Sequence, residues 1–162
     1  ACILSVHRII GRQIALQNID LVLDLDKTIA PVLAHGNRLE QVFFNLITNA
    51  RDAINERIEA LNITDPGKIV IKTYPVNHQV GIDIEDNGAG IDPDITESIF
   101  ESFYTTKPMG EGLGLGLPII TGIVKDYNGT ITVSSRPGKG TVFTILFPVS
   151  TDGSLTKELN TP

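Results

Sequence analysis

The chain has 162 residues and a formal net charge of −6, and at ~100–200 residues per domain it makes one domain whose core needs no staples. The acidic balance argues against a nucleic-acid binder, which carries a basic face, although a few backbone amides can hold a phosphate even in an acidic protein. The single cysteine, Cys2, excludes an internal disulfide and a cysteine-built metal site. No apolar run nears the ~20 residues of a membrane-spanning helix. The chain opens Ala1-Cys2 with no visible signal peptide, as expected of a piece of something longer.

Residues 1–17 read as a helix, with Ile3, Val6, Ile10 and Ile14 at three- and four-residue steps. A strand at about 18–25 carries Ile19, Leu21, Leu23 and Leu25 on one face. The strongest pattern runs from Asn37 to about Leu61, an apolar stripe through Leu39, Val42, Phe43, Leu46, Ala50, Ala53, Ile54, Ile58 and Leu61 with the stem of Arg57. Asn37 as N-cap and Glu40 three positions on predict a capping box there. Pro66-Gly67 closes the region, and strands at 68–74 and 79–86 form a hairpin through Pro75-Val76-Asn77-His78. Residues 87–92 are a Gly-rich turn, a short helix runs from Pro93 to about Phe100, and 101–113 form a loop without apolar periodicity.

A further helix covers about 115–127, with Leu117, Ile120, Ile123, Val124 and Tyr127 on one face and Asn128-Gly129 as its stop. Strands at 130–135 and 140–148 follow, joined by Pro137-Gly138-Lys139-Gly140, and the tail from Ser150 is polar and flexible. Five strands and three substantial helices predict an α/β fold, a two-layer sandwich with a mixed sheet and the helices on one face.

Three segments are unusual for plain structure. The long helix carries Gln41, Asn45, Asn49, Asp52 and Glu56 in one polar stripe beside its apolar face. Asn costs ~0.6 kcal/mol against Ala in a helix, so two on one face are either amides in use or a tolerated solvated edge. Neutral amide oxygens suit Mg²⁺, a hard ion that also takes substrate phosphates. On strand 79–86, Val80, Ile82, Ile84 and Asp86 share one face by the two-residue period. A carboxylate at the end of an apolar face needs a donor. An exocyclic amine such as adenine N6 would serve, and so would nearby amides in an Asx turn. Gly110, Gly112, Gly114 and Gly116 lead into a helix with Pro118 in its first turn. They make either a phosphate-binding lid, with Lys107 in reach, or a flexible hinge. Together the three segments describe parts of one ATP pocket.

The residues resemble the catalytic and ATP-binding domain of bacterial sensor histidine kinases, of the superfamily shared with DNA gyrase, the heat-shock chaperone ATPase and mismatch-repair ATPases. Gln41-Val-Phe-Phe-Asn45-Leu-Ile-Thr-Asn49-Ala is similar to the N box, Asp86-Asn-Gly88-Ala-Gly90-Ile91 to the first glycine box, and Ile99-Phe100-Glu-Ser-Phe103-Tyr-Thr-Thr-Lys107 to the F box. Gly112-Leu-Gly114-Leu-Gly116-Leu resembles the second glycine box, and Gly138-Lys-Gly140-Thr141 the last. The match covers roughly residues 18–148 in the family's order, and the Thr-Thr-Lys and Leu-Pro-Ile details look like the nitrogen-regulator branch.

The resemblance implies the family's Bergerat-type sandwich over residues 16–149, with 1–15 as a connector to a dimerisation domain and 150–162 as a tail. It implies Mg²⁺ held by Asn49 with Asn45, these two also being the catalytic pair. It places adenine N6 at Asp86 with Thr141 nearby through water, and Gly88, Gly90 and Ile91 against the purine. It sets Arg51, Thr106, Lys107, Gly110, Gly112, Leu113, Gly114, Leu115 and Gly116 around the nucleotide. Phe100 and Phe103 would anchor the lid, or be plain core. The implied activity is ATP-dependent phosphorylation of a histidine in two-component signal transduction, on the cytoplasmic side and with a response regulator downstream.

Two departures stand out. Water-attacking relatives carry Glu where Asn45 stands, and Asn cannot act as a general base, which favours transfer to a protein acceptor. Kinases of the family often place a basic residue where Asp52 stands, with Arg51 ~100° round the helix. The family's acceptor is a His followed by an acid. His7 precedes Arg8, and His35 and His78 lie in loops. All three read as surface histidines, so the acceptor domain is missing and the isolated piece is expected to be monomeric. The rival readings are a nucleotide-sensing module, a conformational ATPase and a structural interaction domain.

Overall fold

Alternating apolar residues build a five-stranded sheet in the order β1-β2-β3-β5-β4, from β1 (Ile19–Leu25), β2 (Gly67–Val76), β3 (Gln79–Asp86), β4 (Thr130–Arg136) and β5 (Gly140–Pro148). The computed structural model describes residues 1–96, 98–101 and 116–150. β1 and β2 are parallel, and the other neighbours are antiparallel. Parallel neighbours need a long crossover, which α2 (Gly36–Leu61) supplies. α1 (Cys2–Ala15), α2 and α3 (Gly116–Asp126) complete the helical layer. The sheet is therefore mixed and the sandwich two-layered, as the pattern predicts. Among the described residues no helix is long and apolar enough to cross a membrane.

The core lies between the layers. Ile71, Ile84 and Phe143 form one row across the sheet, and Ile82 and Ile145 sit in the next; all are buried under α2 and α3, which contribute Phe43, Leu46, Ile54, Ile120 and Ile123. α1, expected as a connector, buries Ile3, Val6, Ile10 and Ile14 in this same core. Ile47 of α2 is fully buried although it lies outside the apolar stripe read from the sequence, while Leu61 at the end of the helix is exposed.

Three local expectations need correction. α2 starts one residue early, with His35 as N-cap and no side-chain capping bond; Asn37 lies in the first turn and accepts only from the Arg38 amide. A tertiary contact replaces the box, because the Tyr127 hydroxyl accepts from the His35 amide at 3.3 Å and lies 2.9 Å from His35 Nδ1. The short helix after Pro93 is two one-turn 3₁₀ segments, Pro93–Ile95 and Ser98–Phe100, the first held by the Asp92 side chain accepting from the Asp94 amide at 2.9 Å. The hairpin loop is shorter than the four residues expected. Only Asn77 and His78 lie outside the strands, at φ 45° and 61°, the positive pair of a two-residue turn whose twist matches the strands. Pro75 fits within β2 because β1 ends opposite Thr73, so no strand on that side needs the amide hydrogen that proline lacks.

Candidate functional site

Apart from the buried Thr73 of β2, the apolar pattern of the inner face breaks along one register row. It runs Ile69, Asp86, Thr141, Ser135 across β2, β3, β5 and β4. Asp86 and Thr141 are buried, at 6% and 4% exposure. The parity expected for Asp86 is the one found. Its Oδ1 accepts from the Gly88 amide at 2.8 Å, so the Asx-turn reading holds for that oxygen. Burial pushes its carboxyl up to about 6, with Glu85 adding to the rise, while the amides of Gly88 and Thr141 favour the charged form.

The turn after Asp86 is clamped on every side. Ala89 donates to the Ala53 carbonyl of α2 at 2.9 Å, and its own carbonyl accepts from Gly138 at 2.6 Å. Asn87 holds β2 through Lys68, whose amide donates to Asn87 Oδ1 at 2.8 Å. The half-buried Ile91 donates its amide hydrogen to Ser135 Oγ at 2.8 Å. A Cβ at Gly88 would come within 2.7 Å of Ala53, and one at Gly90, where φ is +75°, would overlap the Arg136 carbonyl. A Cβ at Gly140, at φ +109°, would overlap the Asp86 carbonyl. The glycines of this turn therefore serve close backbone packing within the protein, a demand that does not depend on any ligand.

Ala53 fixes which face of α2 meets this turn. Asn49 is one turn before Ala53 and Asn45 two, so the i, i+4 spacing puts both on that face. Both are half-buried, and their side-chain amides make no hydrogen bond among the described residues. Arg51 is engaged: its Nε and Nη2 donate to Asp52 Oδ1 at 2.9 and 2.6 Å. Gly116 begins α3, and among the described residues nothing lies within 4 Å of where its Cβ would be. The Phe100 ring packs edge-on against Phe143, centroids 6.5 Å apart, and its neighbour Ile99 is buried. That aromatic thus joins the core from the edge of the loop. Phe103, Thr106, Lys107, Gly110, Gly112, Leu113, Gly114 and Leu115 lie outside the described residues.

The structure brings together the asparagine face of α2, Asp86, the turn of Gly88 to Ile91, and Thr141. The sequence reading missed Ser135, which ties the turn to Gly140 and Thr141. Its strand parity, the same as that of the inward Val133, was the available signal. Among the described residues no three His, Cys, Asp or Glu side chains gather as metal ligands. Any cation here would be held by the oxygens of the two asparagine amides and of a bound ligand, a donor set that fits a hard ion.

The model of the family "Histidine kinase-, DNA gyrase B-, and HSP90-like ATPase" matches residues 34–151. The chain is 38% identical over 152 residues to the sensor kinase CckA of Brucella abortus, covering 90% of this chain and 16% of that protein. It is 39% identical over 139 residues to the signal transduction histidine-protein kinase AtoS of Escherichia coli, covering 85% and 21%. The chain thus spans about a fifth of the curated relatives it matches. Among solved structures, the catalytic domain of the histidine kinase ThkA superposes with a TM-score of 0.75 at 31% identity, covering 91% of this chain and 90% of that one. ThkA in complex with the response regulator protein TrrA gives a TM-score of 0.70 at 30% identity, covering 92% and 40%.

Proposed function

We propose that this chain, which belongs to the histidine kinase-, DNA gyrase B- and HSP90-like ATPase family and is a catalytic domain of the sensor histidine kinase kind, binds Mg·ATP and passes its γ-phosphoryl group to a histidine of a separate dimerisation domain. The observation that carries the reading is the inward carboxylate of Asp86, paired with Thr141 and set beside the asparagine face of α2. An ionised carboxylate accepts hydrogen bonds and cannot donate. It therefore suits the 6-amino group of adenine and repels the 6-carbonyl of guanine. Ile91 and the glycine turn form the wall beside the base.

Asn49 and Asn45 would hold the Mg²⁺ through their amide oxygens, together with the phosphates. Bound there, the ion would supply positive charge against the phosphate oxygens. Thr106, Lys107, the glycines at 110, 112, 114 and 116, and Leu113 and Leu115 would contact the nucleotide. Arg51 would reach them only by leaving Asp52. The transfer forms a bond from an imidazole nitrogen to the γ-phosphorus as the bridging bond to ADP breaks, ADP keeping the electron pair. The proton of the imidazole leaves to a base beside the acceptor, because Asn45 and Asn49 cannot take it. This domain's contribution is positioning and electrostatics.

In this reading the 1–15 helix leads toward the dimerisation domain, 150–162 is a tail, and the isolated domain is a monomer. A response regulator takes the phosphoryl group onward, and the need for ATP places the domain in the cytoplasm. The test mixes the chain with a separate dimerisation hairpin domain that carries an acceptor histidine, using γ-labelled ATP and Mg²⁺. Acid-labile label on the hairpin supports the reading. Binding of an ATP analogue without transfer favours a nucleotide-sensing module, and steady phosphate release without acceptor favours a conformational ATPase. No nucleotide binding by a folded sample leaves an interaction domain.

A further inference from the structure

Ser135 makes three hydrogen bonds with one hydroxyl group. Its Oγ accepts from the Ile91 amide at 2.8 Å. It lies 3.0 Å from the Gly140 carbonyl oxygen and 2.9 Å from Thr141 Oγ1. A hydroxyl has one hydrogen to donate and two lone pairs to accept with. A carbonyl oxygen can only accept, so the hydrogen of Ser135 goes to Gly140. Toward Thr141, Ser135 is then an acceptor, and Thr141 must be the donor. The one hydroxyl hydrogen of Thr141 is committed to Ser135, and its free lone pairs are what remains for a ligand or a water. Thr141 stands directly opposite Asp86, itself an acceptor when ionised.

We propose that Ser135 is a specificity-positioning residue that locks the Thr141 hydroxyl as an acceptor, so that this end of the site presents acceptors alone and takes a purine with a 6-amino group over one with a 6-carbonyl. This rests on the nucleotide reading above and adds a residue to it. Ser135 does not touch the base. It acts by denying Thr141 the rotation that would let it donate to a carbonyl. A buried hydroxyl with a fixed hydrogen discriminates more sharply than a free rotor, because the wrong partner leaves polar groups unpaired.

The experiment measures equilibrium binding, with Mg²⁺, of non-hydrolysable triphosphate analogues carrying adenine, hypoxanthine or unsubstituted purine. Wild type, Ser135→Ala and Ser135→Thr are compared. The adenine-over-hypoxanthine ratio is expected to fall about tenfold in Ser135→Ala and to return in Ser135→Thr, which restores the hydroxyl. The unsubstituted purine has nothing at its 6-position and reports purely structural loss. If Ser135→Ala weakens all three analogues by the same factor, or changes none, Ser135 only ties the turn to the β4–β5 hairpin and the proposal is wrong. If Ser135→Ala does not fold, Ser135→Cys keeps the volume with a poor acceptor and carries the same expected drop. A folded wild type that binds none of the three overturns the underlying nucleotide reading instead.

Discussion

Thr141 faces Asp86 across the β3–β5 pair, and both side chains are more than nine-tenths buried on the inner face of the sheet. The next inner row, Ile84 against Phe143, is wholly apolar. A carboxyl group is thus held at the rim of a hydrophobic layer, where desolvation works against its charge.

Asp86 should therefore cost the protein stability. An acid whose folded-state pKa lies above its unfolded value binds its proton more tightly when folded. With a rise from 3.8 to about 6, stability falls as the pH climbs between about 4 and 6 and stays lower above that window. The shift corresponds to on the order of 3 kcal/mol. Asp86→Asn keeps an oxygen to accept from Gly88 and removes the charge. Denaturant unfolding is expected to find the variant about 2–3 kcal/mol more stable than wild type at pH 7.5 and no more stable at pH 3.5. A destabilisation at pH 7.5 that fades at pH 3.5 would mean that the amides around the carboxylate outweigh its desolvation.

The glycines of the last box should differ sharply in tolerance. Gly140→Ala places a Cβ on the Asp86 carbonyl at φ +109°, whereas Gly138, at φ +71°, has nothing within 4 Å. Gly138→Ala then carries only the left-handed penalty of ~1–2 kcal/mol. Gly140→Ala adds a backbone displacement beneath Asp86 and should cost at least twice as much. Thermal unfolding of the two variants checks this, and equal losses would show that the β3–β5 contact relaxes freely.

Much of this was legible in the sequence because it follows from periodicity. The two-residue period turned Asp86 to the same side as Ile84, and the 3.6-residue period put Asn45 and Asn49 on one helix face. What was illegible depended on tertiary partners. The start of α2 is set by Tyr127, 92 residues away, and no local capping pattern contains that information. Ser135 looks like an ordinary strand residue until β4 and β5 are in register. Gly88 and Gly90 read as room for a ligand, and the structure adds a demand at both that no local pattern contains, the close approach of Ala53 and of the Arg136 backbone.

The Tyr127 contact is itself testable. Its hydroxyl meets both the amide and the ring nitrogen of His35, tying the end of α3 to the start of α2. Tyr127→Phe removes that tie and leaves the ring in place. It should lower stability by about 1 kcal/mol and speed hydrogen exchange at the first amides of α2 more than elsewhere. Uniform acceleration would mean that the hydroxyl supports the whole fold and not that helix terminus.

Asn49 separates function from stability most cleanly. Its side-chain amide is half-buried on the face of α2 that meets the Asp86 turn, and it has no hydrogen-bond partner among the described residues. Alanine is the better helix former by ~0.6 kcal/mol, so Asn49→Ala should melt no lower than wild type. Under the proposed function the same change removes an oxygen ligand of Mg²⁺. Affinity for an ATP analogue should fall about tenfold or more in the presence of Mg²⁺ and hardly at all in the presence of a chelator. A loss of the same size with and without Mg²⁺ would assign Asn49 to the nucleotide itself. A drop in melting temperature would show that the amide has a structural partner, and the asparagine stripe would then be a solvated edge and no binding face.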